Sequence, residues 1–338
     1  MPSNAISRLG EATGTNRFLY AKLIVPLVAA MPAWMAYGLA LAYANIRVRS
    51  DRASFEEVVA CLDFVFGPRM TPGARNETAR DYFRNRACMR VDAIRLTGDG
   101  RRLIQSTTIR GEEHVRQALK DGKGALLCSA HYGSVRVGAA LLGARGFPVT
   151  LVAIWSLPKD RDKDSGRGSM YQYAWKPIEH HFRRANIMAA SSMAVAVEVA
   201  GVLRQNELVF TLVDNPPLYS RRAVVQDFLG GKAALTSGPT TMAKLAGAPL
   251  LMVFVRRTGK WGHLELEIHP PISLAGSDMV AARECVRQVE EAVRSDPSQW
   301  ELWRIRTLVS LGLYPEDRAR EYFRRVGWRW GRMFEPYP

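Results

Sequence analysis

Cysteine is scarce in this sequence, and what there is of it is scattered. Cys61, Cys88, Cys128 and Cys285 form no CxxC pair. That excludes a disulfide framework and fits free thiols in a reducing compartment. Cys128 sits in an apolar run and reads as a small core residue, not a nucleophile. Metal-ligand spacing is also missing. His180 and His181 are adjacent, so on a helix they diverge, and no HxxxH or HExxH pattern occurs. No metal site and no bound cofactor are expected. A Walker A loop, a GxSxG elbow and a dinucleotide fingerprint are absent too, which argues against ATP hydrolysis, serine hydrolases and dinucleotide enzymes. Acidic residues are few: 32 Asp and Glu stand against 47 Lys and Arg, a formal charge of +15. The excess favours anionic partners such as phospholipid headgroups, a CoA phosphate or an acidic carrier protein. Without C2H2 zinc-finger spacing or an RNP-like aromatic block, nucleic acid is not expected among them.

What is present is enough for a core. Of 338 residues, 47% are hydrophobic and 23% charged, so most of the chain should fold. Residues 23–43, LIVPLVAAMPAWMAYGLALAY, contain no charge. As one helix they would span about 31 Å, enough to cross a hydrocarbon layer of roughly 30 Å. Pro26 and Pro32 would break a soluble helix but are tolerated in membranes. Basic residues flank both ends and no small-residue cleavage site follows, so a membrane helix is expected rather than a signal peptide. The alternative is a helix packed on the domain.

Residues 53–120 read as mainly helical. Apolar runs at 125–130, 148–154, 186–188, 207–213, 223–228, 249–257 and 263–272 then alternate with helical stretches, notably 134–145, 191–205 and 237–247. This alternation predicts an α/β fold with a mixed, mostly parallel sheet flanked by helices. Three parts are expected: a membrane-anchoring segment (1–50), an α/β domain (51–310) and a basic, aromatic tail (311–338). The charged stretch 156–176 reads as a solvated loop or a cover over a site. The tail REYFRRVGWRWGRMFEP, residues 320–336, suits either a membrane interface or a docked helix.

The chemistry should lie beyond the carboxyl ends of the strands. The run 125–130 delivers His131 there, where an imidazole can act as a general base or simply cap a turn. Asp214 follows the run 207–213 as a second candidate, the alternative being a cap before Pro216 and Pro217. Arg221, Arg222, Lys232 and Arg256 are candidates for holding phosphates or other anionic groups of a substrate, and Thr236, Ser237 and Gly238 open a helix whose free N–H groups either favour an anion or are merely capped.

Several blocks in this order resemble one family. SAHYGSVRVG, beginning at Ser129, resembles the HxxxxE/D block of glycerolipid and lipid A acyltransferases. LVDNPPLYSRRAVVQDFLGGKAALTSGPTTMAKLAGAPLLMVFVRR (212–257) resembles that group's second block, LELEIHPPI its later strand, and DPSQWELWRIR (296–306) its terminal motif. Each block alone is weak, but their order over residues 15–308 is specific. The branch most resembled is the lauroyl/myristoyl acyltransferases of lipid A biosynthesis.

The resemblance implies a glycerolipid acyltransferase-like fold and a membrane-associated enzyme on the cytoplasmic face of a bacterial inner membrane. It implies acyl-ACP or acyl-CoA as donor and a lipid or glycolipid hydroxyl, or an amine, as acceptor. His131 would take the acceptor proton, and a carboxylate five residues on would orient the imidazole. The sequence departs there: Arg136 occupies that position. An arginine cannot accept the imidazole N–H, and its charge disfavours imidazolium. Three consequences follow. Another acid, Asp214 or Glu179, takes over; or the base works unaided or with water; or the fold binds lipid without catalysis. Arg136 is also placed to grip a phosphate or carboxylate of the donor or acceptor.

Overall fold

A computed structural model describes residues 23–97, 100–155, 176–189, 193–214, 223–259 and 262–325. In chain order the described elements begin with helices α1 (Val25–Ala30), α2 (Ala33–Ser50), α3 (Arg52–Phe66), α4 (Pro72–Arg95) and α5 (Arg101–Ser106). There follow β1 (Thr108–Arg110), α6 (Glu112–Lys120), β2 (Ala125–Ser129), α7 (Val135–Ala144), β3 (Val149–Trp155), β4 (Arg184–Ala189), α8 (Met193–Arg204) and β5 (Leu208–Leu212). The last elements are β6 (Ala223–Phe228), β7 (Gly231–Thr236), α9 (Gly238–Ala246), β8 (Leu250–Arg257), β9 (Leu264–Ile268), α10 (Asp278–Ser295), α11 (Ile305–Ser310) and α12 (Glu316–Arg325).

Seven strands form one sheet in the order β1-β9-β8-β2-β5-β3-β4. Every neighbouring pair is parallel except β8 and β9. Their connection is too short for a crossover, which forces the antiparallel return. The remaining strands, β6 and β7, form a separate antiparallel hairpin. The mostly parallel sheet predicted from the sequence is therefore found. Strands β1 and β7 were not expected: β1 is only three residues long, and β7 opens on Gly231 and Lys232.

The central strands are apolar throughout because both their faces are covered. Alternation of period two divides their side chains between two cores. Leu126, Cys128, Leu250, Met252 and Phe254 join one cluster with residues of α8, α9 and α10. Ala125, Leu127, Leu251, Val253 and Val255 join the other with residues of α6 and α7. All four cysteines are buried and free.

The expected membrane helix over residues 23–43 is corrected. Among the described residues no helix is long and apolar enough to cross a membrane. The cause is Pro32, which has no N–H and holds Met31 in an extended conformation (φ −67°, ψ 148°), ending α1 at Ala30. Pro26 lies in the first turn of α1, where a missing N–H costs nothing. Helix α2 then buries Ala36, Tyr37, Ala40 and Ala44 against Ala87, Cys88 and Val91 of α4. Its other face leaves Trp34, Met35, Leu39, Tyr43 and Ile46 exposed.

At the other end, α12 docks through Ala319, Tyr322 and Phe323 into the larger core, so the first part of the basic, aromatic tail is a packed helix. The rest of the tail, residues 326–338, lies outside the described residues, as does nearly all of the charged stretch 156–176.

Candidate active site

Strand β2 leaves the sheet at Ser129, and the chain turns at once. The N–H of Tyr132 bonds back to the Ala130 carbonyl at 2.7 Å. Gly133 takes a left-handed conformation (φ 58°), and a Cβ there would lie 1.7 Å from the Val255 carbonyl oxygen, so only glycine fits. The turn is clamped on both sides. Gly133 N–H donates to the Gln299 carbonyl at 2.8 Å, and Ser134 N–H to Val255 at 3.2 Å. Glu301 N–H donates to the His131 carbonyl at 2.7 Å. His131 thus projects from a rigid turn held by the end of β8 and by the segment 299–301.

Strand β5 lies beside β2 in parallel register, with Leu212 opposite Ser129. Both strands therefore end at the same level, and their next side chains meet. Asp214 is fully buried, holds His131 through two contacts and is itself held by a third, from Trp300. Its Oδ1 faces His131 Nδ1 at 2.8 Å. Its Oδ2 accepts the backbone N–H of His131 at 2.8 Å and the indole N–H of Trp300 at 2.9 Å. A carboxylate only accepts, so the proton sits on Nδ1 and the lone pair on Nε2. Nε2 has no hydrogen-bond partner among the described residues, and the half-buried ring leaves it accessible.

The electrostatics fit a base held ready. Burial of the imidazole works against its charged form, but the Asp214 charge and hydrogen bond, with the charge of Glu301, outweigh it and raise the pKa above the ordinary histidine value. Arg136 opposes them: its charge pushes the His131 pKa down. It lies on the first turn of α7.

Of the other basic candidates, Arg221 and Arg222 lie outside the described residues. Lys232 pairs with Asp227 at 2.6 Å on the solvent side of the β6–β7 hairpin. Arg256 pairs with Glu267 of β9 at 3.2 Å. At the start of α9, the Gly238 N–H donates to Thr236 Oγ1 at 3.1 Å and Thr240 Oγ1 donates to the Ser237 carbonyl at 2.8 Å, so these groups are used internally.

Two features were not foreseen as site residues. Trp300 belongs to the recognised 296–306 block, but nothing in a linear motif shows that its indole would reach Asp214. The second is a buried node around Asp92 of α4. Tyr37 O–H donates to Asp92 Oδ1 at 2.6 Å, while Arg257 Nη2 donates to Oδ2 at 2.5 Å and Ser134 Oγ also donates to Oδ2. Arg257 further lies over the Tyr37 ring, 5.4 Å from its centroid. The node ties α2, α4 and the end of β8 to the residue that opens α7. Of the two arginines ending β8, the less exposed one is Arg257, because alternation turns Arg256 to the opposite face.

Comparison with known proteins bears on the family of the chain. The family model described as bacterial lipid A biosynthesis acyltransferase matches residues 9–159 and 183–310, a span that contains His131 and Asp214 and skips most of the charged stretch. A lipid A biosynthesis acyltransferase of Haemophilus influenzae is 27% identical over 199 residues, 58% of this chain. The chain spans 58% of that relative's length.

Proposed function

Because this chain belongs to the bacterial lipid A biosynthesis acyltransferase family, we propose that it transfers a fatty acyl group from an acyl-ACP or acyl-CoA thioester to a hydroxyl, or an amine, of a lipid or glycolipid acceptor. The observation that carries this reading is the His131–Asp214 pair, which supplies an oriented imidazole with an available Nε2 although the usual acid position holds Arg136.

In this mechanism Nε2 accepts the proton of the acceptor O–H as its oxygen attacks the thioester carbonyl carbon. Asp214 stabilises the imidazolium that forms and keeps the ring in place. The tetrahedral intermediate collapses with cleavage of the C–S bond. The imidazolium returns its proton to the departing sulfur, which leaves as the free thiol, and the ester is complete. Arg136, one turn from the base, is the proposed contact for a phosphate or carboxylate of donor or acceptor. Arg221, Arg222, Lys232 and Arg256 are proposed as weaker electrostatic contributors to the same polyanionic substrates.

A bacterial inner-membrane location, with the catalytic domain on the cytoplasmic face, fits the exposed apolar side chains of α1 and α2, among them Leu27, Trp34 and Leu39. Helix α2 would enter the interface inclined, with Trp34 deeper than Arg49. The test is thioester consumption by detergent-purified protein, wild type beside His131→Ala, with acyl-ACP and acyl-CoA over a membrane lipid extract. A labelled lipid product that depends on His131 supports the reading. Arg136 motivates one competitor, a lipid-binding protein without catalysis, and turnover that survives His131→Ala would remove His131 as base. Lipid binding with no thioester consumed would favour the competitor.

A further inference from the structure

Helix α2 carries an exposed stripe that changes character along its length. Met35, Leu39, Ala42, Ile46 and Arg49 follow one another at helical spacing, and all are exposed. The stripe is apolar until Arg49. There α2 meets α3 and α4 at a cleft of about 370 Å³, lined by Asn45, Val48, Arg49, Arg52, Arg80 and Arg84. Four of the six lining residues are arginines and none is acidic.

Acids hold these guanidinium groups from outside the cleft. Glu56 pairs with Arg52 at 2.9 Å, Glu77 with Arg80 at 2.9 Å, and Glu77 and Asp81 with Arg84 at 3.0 and 2.9 Å. Arg84 also donates to Asn45 Oδ1 at 3.3 Å. Arg49 makes no ion pair or hydrogen bond among the described residues. The cleft thus combines oriented guanidinium forks with one uncommitted charge, an arrangement suited to a tetrahedral oxyanion. It is separate from the catalytic turn. Arg80 and Arg84 occupy one face of α4, whereas Tyr82 and Arg86, on the opposite face, contact Glu301 beside His131.

We propose that this cleft binds the phosphodiester headgroup of an anionic phospholipid in the bilayer on which the protein sits. The proposal rests on the reading that the exposed face of α1 and α2 contacts a membrane. The side chains of Trp34, Leu39, Tyr43 and Ile46 enter the interface, and the end of α2 brings Arg49 and its neighbours to headgroup level. Charge complementarity selects the occupant: an apolar stripe ending in arginines matches a lipid with acyl chains below and a phosphate above.

The test is sedimentation of the full-length protein with vesicles of phosphatidylcholine, with or without phosphatidylglycerol. Wild type should bind both and prefer the anionic vesicles. Arg49→Gln removes a side chain with no ion pair or hydrogen bond among the described residues, so the fold is preserved. It should weaken anionic-vesicle binding about five-fold, and Arg84→Gln in addition should weaken it about as much again. Binding to neutral vesicles should not change, nor should turnover of a detergent-solubilised acceptor. Arg287→Gln, the same charge change on the distant α10, should have little effect. Equal losses for Arg49→Gln and Arg287→Gln would reduce the effect to overall charge and overturn the cleft. Equal wild-type binding to both vesicles would overturn the cleft while leaving the membrane contact intact. Binding to neither would overturn both. Release by inorganic phosphate at constant ionic strength would assign the cleft to free phosphate instead and overturn the lipid proposal.

Discussion

Asp214 stands 83 residues after His131 in sequence, yet its Oδ1 lies 2.8 Å from His131 Nδ1. Its other oxygen accepts two further N–H groups, from the His131 backbone and from Trp300. The acid absent from the position of Arg136 is supplied from the neighbouring strand end.

Asp214→Asn tests that substitution of one acid position for another. An amide has one acceptor oxygen, whereas the site presents N–H donors to both carboxylate oxygens. Either amide orientation sets an NH₂ against a donor. Acyl transfer should fall about 10²- to 10⁴-fold, while circular dichroism remains that of the folded protein. Transfer at the wild-type rate would show that the base works without this partner.

Trp300→Phe removes one donor to Asp214 but keeps an aromatic ring between Phe228 and Trp303, which lie 5.9 and 4.8 Å from the indole. The Asp214 carboxylate would be left short of one hydrogen bond in a buried site. Chemical denaturation should report a loss of about 1–3 kcal/mol, with a lower kcat. A stable variant of unchanged kcat would make the indole contact incidental.

The pH dependence carries its own sign. The His131 pKa is raised in the folded protein, so its contribution to stability is full below the unfolded value, about 6.5, and is lost as the pH rises through the folded value. The neutral base exists only above that value. The kcat/KM profile should therefore rise with pH with a midpoint above about 6.5. Arg136→Gln removes a charge that disfavours imidazolium, so the midpoint should move up further. A downward movement would contradict the placement of Arg136 beside the ring.

Asp92→Ala should be among the costliest single changes in the chain. It leaves the buried Arg257 guanidinium without its counter-charge and frees the hydroxyls of Tyr37 and Ser134. Breaking a buried pair in this way costs about 3–5 kcal/mol, measurable by urea unfolding. A cost below about 1 kcal/mol, the range of exposed pairs, would show that the node does not hold α4 to the His131 turn.

The α/β class, most strand positions, His131 and Asp214 as candidates, and the family could be read from the residues alone. These are legible because apolar runs of strand length and their following polar residues are local signals, and a motif order is linear. Tertiary structure decided the rest. The uncharged stretch 23–43 is long enough for a membrane helix, but Pro32 divides it, and small residues spaced along α2 bury one of its faces on α4. Hydropathy sums over a segment and does not register what one face packs against. The partner of His131 was likewise undecided between Asp214, Glu179 and water, because the choice depends on which strands lie side by side. Strand order places β5 next to β2, and the parallel register brings both ends to one level. Trp300, Asp92 and Arg257 act at distances in sequence that no spacing encodes, and their contacts exist only once the sheet, α4 and the 299–301 segment close around the turn at Gly133.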